Sequence, residues 1–161
     1  MANNGTQIRG QMFQICTTSQ PSDLTAVQFA ALTYVDICCL QETPDFSVEA
    51  NILTENCIDG RRLVGVGADE ASEMEVSFFY MADCPGQDAL RALAMAKTNV
   101  PYAIRKVYSD GVPGVSTPTT VYARVIISGF TDNGGSLEDF QTHTVGGSVV
   151  QDPIFVKPVA L

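Results

Sequence analysis

Residues 73–108 read EMEVSFFYMADCPGQDALRALAMAKTNVPYAIRKVY. Met74, Val76, Phe78 and Tyr80 alternate with Glu73, Glu75, Ser77 and Phe79, the period of a strand with one buried face. Asp83-Cys84-Pro85-Gly86 then breaks the strand. An acidic residue in capping position followed by an early proline is the usual entry to a helix. Residues 87–97 are rich in Ala, Leu, Met and Arg, all good helix formers. Leu90, Leu93 and Ala94, with Ala89 and Ala96, form a narrow apolar stripe on that helix. Asp88 and Arg91 are spaced to pair on its outer side. Pro101 and the β-prone run 100–108 end the helix and open a new strand. The unit is strand–helix–strand, and its helix, over about 86–97, is the clearest in the chain.

Working upstream, residues 11–17 and 33–40 read as strands. Residues 24–32 read equally as a short helix or an extended lead-in. Residues 44–70 are weakly patterned, with a short β candidate at 46–53, an Asp59-Gly60 turn, the pair Arg61-Arg62 and the run Val64-Gly65-Val66-Gly67. A long segment of this kind inside a compact domain is usually functional or mobile, and its place between two good strands reads as a long hairpin-like excursion. Downstream, residues 117–128 are the most β-prone run, Asp132-Asn133-Gly134-Gly135 is a strong turn, and 143–159 supply one or two last strands. The expected fold is mainly β: a β-sandwich or partly closed barrel of about six to eight strands with one flanking α-helix. Runs 100–108 and 117–128 are apolar on both strand faces. Either the helix covers one face and a second sheet the other, or part of that surface belongs to a subunit interface.

The 161 residues suit a single domain, 1–161, with a polar arm at 1–10. The formal net charge is −9, so binding to nucleic-acid phosphates by counterion displacement is not expected. No apolar signal core opens the chain, so export by that route is not expected, and no apolar run is long enough to span a membrane. The five cysteines are odd in number and lack a C-x-x-C pair, which argues against a disulfide framework or a zinc site. Cys38 and Cys39 read as small buried hydrophobes in a reducing compartment.

Chemistry-bearing motifs are few. The single histidine, His143, has no recognisable nucleophile partner among the cysteines. Residues 64–68 hold G-x-G without a third glycine or a following helix, so they fail as a phosphate loop. The acidic group Asp69, Glu70, Glu73 and Glu75 lacks the spacing of a calcium loop. Neither an enzyme nor a cofactor or metal site is expected; a solvated acidic face is the simple reading of those carboxylates.

The order of pieces resembles the tail tube (major tail) protein of long-tailed, non-contractile bacteriophages. The resemblance runs through YVDICC (34–39), Glu49-Ala50-Asn51 and the long segment after it. It continues through EMEVSFFY (73–80), DCPGQDAL (83–90), YAIRKVYSDG (102–111) and the strand 117–130 with its acidic turn at Asp132, about residues 30–157 in all. It departs from many relatives in having no Trp.

The resemblance implies a structural subunit that forms hexameric rings, which stack into a hollow tube in a virion tail assembled in the bacterial cytoplasm. Its partners would be further copies of itself, the tape measure protein, and the tail terminator and tail-tip proteins. DNA would pass through an acidic lumen without specific binding. Glu73, Glu75, Asp69 and Glu70 would face the lumen. Residues 44–70 would be the inter-ring loop, with Pro44, Phe46, Asp59, Arg61 and Arg62 at inter-subunit or inter-ring contacts. The tubes of contractile tails and type VI secretion systems share the fold. A β-barrel module holding an apolar ligand between sheet and helix is the rival from another class.

Overall fold

The computed structural model describes residues 10–47, 49, 51–67 and 72–161. Among them are nine strands and two helices, in the order β1 (Met12–Ser19), α1 (Ala26–Ala30), β2 (Val35–Asp36), β3 (Leu40–Glu42), β4 (Ile52–Asn56), β5 (Arg62–Val66), β6 (Glu73–Phe79), α2 (Pro85–Ala96), β7 (Tyr102–Val107), β8 (Thr120–Asn133) and β9 (Thr142–Val156). Seven strands form one antiparallel sheet, β2-β1-β7-β8-β9-β6-β3, and β4 and β5 form a separate hairpin. The expected mainly-β, partly closed barrel with a flanking helix is what the chain adopts.

The period-two alternation of β6 is realised in full: Met74, Val76 and Phe78 are buried while Glu73 and Glu75 are exposed. Core residues from β1, β6, β7, β8 and β9 converge with Leu90 and Ala94 of α2 into one cluster that includes Phe13, Ile15, Ile104 and Val125. The sheet therefore curls around this cluster, with α2 lying across its inner face. Asp88 and Arg91 pair at 2.7 Å on the solvent side of α2. The residue that enters α2 differs from expectation. Cys84, not Asp83, is the N-cap, and it makes no side-chain capping bond. Pro85 takes the first helical position, where its missing N–H costs nothing.

The opposite, outer face of the sheet is covered over part of its area by α1, not by a second sheet. Phe29 of α1 stacks on Tyr122 at 5.3 Å between ring centroids, in a small cluster with Cys16 and Ala103. Thr25 and Gln28 close a reciprocal capping box at the start of α1, the device that lets so short a helix form. Gln151 of β9 fixes the lead-in by bonding both the N–H (3.0 Å) and the C=O (2.7 Å) of Leu24. Arg124, with a side chain 8% exposed, pairs with Asp23 on the same segment. Two-sided cover thus explains why 100–108 and 117–128 are apolar on both faces.

The last strand is single and long. Pro153 sits within β9, where the register with β8 shifts between Tyr122 and Arg124. A bulge there tolerates a residue without an N–H.

Candidate assembly surfaces

The expected strand 33–40 is broken in two, and the break closes the sheet. β2 pairs with β1 (Gln14↔Asp36) at one end of the sheet, and β3 pairs with β6 (Leu40↔Phe78) at the other. One short segment therefore joins both ends of the curl. Cys39, at φ 51°, makes the turn between the halves, a conformation that costs a non-glycine residue and must be imposed by its surroundings.

The surroundings are the first turn of α2. A Cβ on Gly86 would lie 1.8 Å from Asp36 O, so only glycine lets the helix press onto the split strand. Gln87 is buried and donates to Cys38 O at 2.8 Å and Phe79 O at 2.9 Å, while its Oε1 accepts from the N–H of Met81 at 2.9 Å. Cys38 and Cys84 form a disulfide across the same point. This corrects the reading of the cysteines as reduced hydrophobes. Only Cys16 is a buried free thiol; Cys39 is exposed and Cys57 half-buried.

The outer face beyond α1 is bare. Across β6, β9 and the end of β8, aligned rows place Glu73 with Ser148 and Ile126, Glu75 with Gly146 and Gly129, and Ser77 with Thr144 and Thr131. Ser77 Oγ and Thr144 Oγ1 lie 3.1 Å apart, and Asn133 donates to Thr144 at 2.9 Å. The side chains are hydroxyls, an amide, glycines, two carboxylates and one aliphatic, Ile126. Strands β6 and β9 and the stretch of β8 from Val125 onward, which build this half of the sheet, contain no Lys or Arg. Glu73 and Glu75 are brought together on it; Asp69 and Glu70 lie outside the described residues.

The segment expected to be a loop carries the hairpin β4–β5, in register from Ile52↔Val66 to Asn56↔Arg62. Every residue of both strands is exposed. Ile52, Val64 and Val66 share one side and Leu53 and Leu63 the other, so the ribbon is apolar on both faces, and both faces stay exposed among the described residues. A two-stranded ribbon in water is marginal alone, and exposed apolar surface of this kind marks a docking element. Asp59, Arg61 and Arg62 are exposed at its tip, with Arg61 and Asp59 paired at 2.8 Å. Pro44 is buried and Phe46 packs partly against the core, so these two hold the root of the excursion. Lys106 donates to Pro44 O at 3.2 Å, and burial lowers its pKa.

No family model and no curated sequence matches the chain. Solved structures do. The SPP1 tail tube superposes with a TM-score of 0.68 at 13% identity, over 95% of this chain and 80% of that one. A chain of the PVC extracellular contractile injection system, from its sheath/tube terminator in the extended state, gives 0.68 at 6% identity over 97% and 99%. The anti-feeding prophage tube-terminating cap gives 0.66 at 8% over 98% and 94%. This chain has the tail-tube fold.

His143 is buried in a ring of aromatic side chains, 5.0 Å from Phe130, 5.1 Å from Tyr80 and 5.9 Å from Phe78 between centroids, with Asp132 at 3.6 Å. It packs the open end of the core. Among the described residues, no group of three His, Cys, Asp or Glu side chains is placed to hold a metal ion, and no helix is long and apolar enough to cross a membrane. The space between sheet and α2, where a ligand module would keep its cavity, is filled by Phe13, Ile15, Leu90, Ile104 and Val125. Burial, reinforced by neighbouring Tyr122, raises the Tyr34 pKa. Tyr34 donates to Phe29 O at 2.9 Å and lies under Arg105 at 4.3 Å, a structural role in seating α1.

Proposed function

We propose that this chain is the structural subunit of a tail tube, forming hexameric rings that stack into a hollow conduit for a genome. The observation that carries the reading is the bare, cation-free outer half of the sheet, set on a tube fold. Lys and Arg are what hold nucleic-acid phosphates. A bore lined by Glu73, Glu75 and hydroxyls repels an anionic polymer, over a Debye length of about 8 Å at physiological salt, and offers it no cationic foothold. The hairpin β4–β5 supports the second half of the proposal, because its two apolar faces need cover from another copy.

In this reading Asp59, Arg61 and Arg62 act at contacts between copies, and Pro44 and Phe46 anchor the root that aims the hairpin. Asp69 and Glu70 add to the acidic lumen. Tape measure, terminator and tail-tip proteins are the partners, and the virion is the final location. Electron microscopy of the concentrated full chain tests the proposal: rings or tubes are expected, and a monomer under every salt and concentration tried would overturn it. A tube of a contractile apparatus is the second reading, favoured by the fit to the contractile injection system chains. Co-expression with a sheath protein separates the two, since only a contractile tube recruits a sheath.

A further inference from the structure

Phe79, Tyr80, Met81, Phe140 and Gln141, with Cys39, line an apolar pocket of about 290 Å³. It opens at the C-terminal end of β6, against the loop between β8 and β9. Phe140 is 82% exposed although its ring meets Phe79 edge-on at 5.9 Å, and Leu137 beside it is fully exposed. Four carboxylates stand in the same segments: Asp83, Asp132, Glu138 and Asp139. All are exposed, and the absence of Lys and Arg from 63–90 and 125–156 leaves them without a cation from either segment. Hydrogen bonds from Ser136 lower the pKa of Asp139, so that carboxylate keeps its charge in mild acid.

The complementary surface is on the same chain. The tip of the β4–β5 hairpin presents Ile58, fully exposed, beside Arg61 and Arg62, two of the nine Lys and Arg residues in the molecule. The root of the hairpin, where Ser72 Oγ donates to Ser47 O at 2.9 Å, and the pocket lie at opposite ends of β6. The hairpin leaves from the Glu73 end of β6 and the pocket lies at its Phe79 end, so the strand, about 20 Å long, separates them. An apolar tip carrying Arg61 and Arg62, the former paired with Asp59, and an apolar pocket flanked by carboxylates are complementary between copies, and paired head to tail through stacked rings they propagate.

We infer that the acceptor for the hairpin tip is this pocket on the next copy, with Ile58 entering between Tyr80, Met81 and Phe140, and Arg62 meeting Glu138. The inference rests on the tube reading and adds to it the seat that sets ring-to-ring register. Two native thiols report on it, because Cys57 sits at the hairpin turn and Cys39 lines the pocket.

A short bismaleimide applied to the assembled full chain is expected to produce a ladder of covalent multimers on a denaturing gel. The ladder should vanish in both C39S and C57S. In parallel, Arg62→Glu is expected to raise the concentration needed for tube formation at least about tenfold while rings persist, and Glu138→Arg in the same chain is expected to restore it. Both substitutions lie on exposed residues, so folding survives them. Wild-type tubes that give no ladder, or that tolerate Arg62→Glu, would overturn the seat and leave the tube reading standing. Failure of the wild type to associate at all would overturn both.

Discussion

The first turn of α2 yields the sharpest stability prediction. Gln87→Met keeps the length, apolar stem and helix propensity of the side chain and removes its amide. Three hydrogen bonds vanish, at 2.8, 2.9 and 2.9 Å. The carbonyls of Cys38 and Phe79 and the N–H of Met81 lose their partner where Gln87 is 3% exposed. An unmade buried hydrogen bond costs on the order of 1–3 kcal/mol. Carbonyls tolerate poor satisfaction better than N–H groups do, and Met81 is near the surface, so the low end applies to each. The expected loss is about 3 kcal/mol, or about 6–12 °C in Tm for a domain of this size. Guanidinium denaturation of the monomer, below its assembly concentration, measures it. Asp88→Ala on the outer face of the same helix is the control and should cost no more than about 0.5 kcal/mol. A loss under about 1 kcal/mol for Gln87→Met would refute the claim that this amide holds the barrel shut.

Gly86→Ala should be worse than its chemistry suggests, because the new methyl meets the backbone of Asp36; loss of soluble folded protein is the expected readout, and a normally stable G86A would contradict the close approach. Cys38→Ser and Cys84→Ser remove a cross-link closing a 46-residue separation, worth about 4 kcal/mol in the chain-entropy relation, and should lower Tm by equal amounts that reduction of the wild type reproduces. Asp110 accepts from the Thr119 N–H at 2.8 Å and from its hydroxyl at 2.5 Å, and these bonds depress its pKa. A depressed carboxylate stabilises the fold above its unfolded pKa and loses that contribution as pH falls through the folded one. The stability gap between wild type and D110N should therefore be full at pH 7 and close below the ordinary carboxylate range, as paired melts at both pH values would show. Replacing Glu73 and Glu75 by Lys should leave ring and tube assembly intact and impair DNA delivery in an infectivity assay; equal loss of both would remove these residues from the bore.

The opening unit was legible because its signals are local. The alternation in β6 needs only neighbours two apart, and the start of α2 needs only Pro85 at its first position, which is why the expected range 86–97 and the observed Pro85–Ala96 differ by one residue. The helix α1 stayed ambiguous because five residues carry too little periodicity. The capping box of Thr25 and Gln28 was the signal available for it. The hairpin β4–β5 is legible as an excursion turning at Asp59-Gly60, but the spans of its strands are not, because they have no buried face and so no alternation to read. The Cys38–Cys84 bridge is not legible in the sequence, because pairing of cysteines 46 residues apart leaves no mark on spacing.

Sequence by itself determined the elements whose signals are local: the alternation of β6, the helix-forming run of α2 and the β-prone runs of β1, β7 and β8. It also determined the cation-free composition of the segments that form the bare face. Tertiary structure alone decided how the curl closes. Residues 33–42 hold the β propensity for one strand, and nothing local says that its first half serves β1 and its second half β6. That division is imposed by the sheet's two ends meeting at Cys39, where α2 presses in through Gly86 and Gln87. Strand period is a property of adjacent residues; closure is a property of residues far apart in the chain that must share one seam.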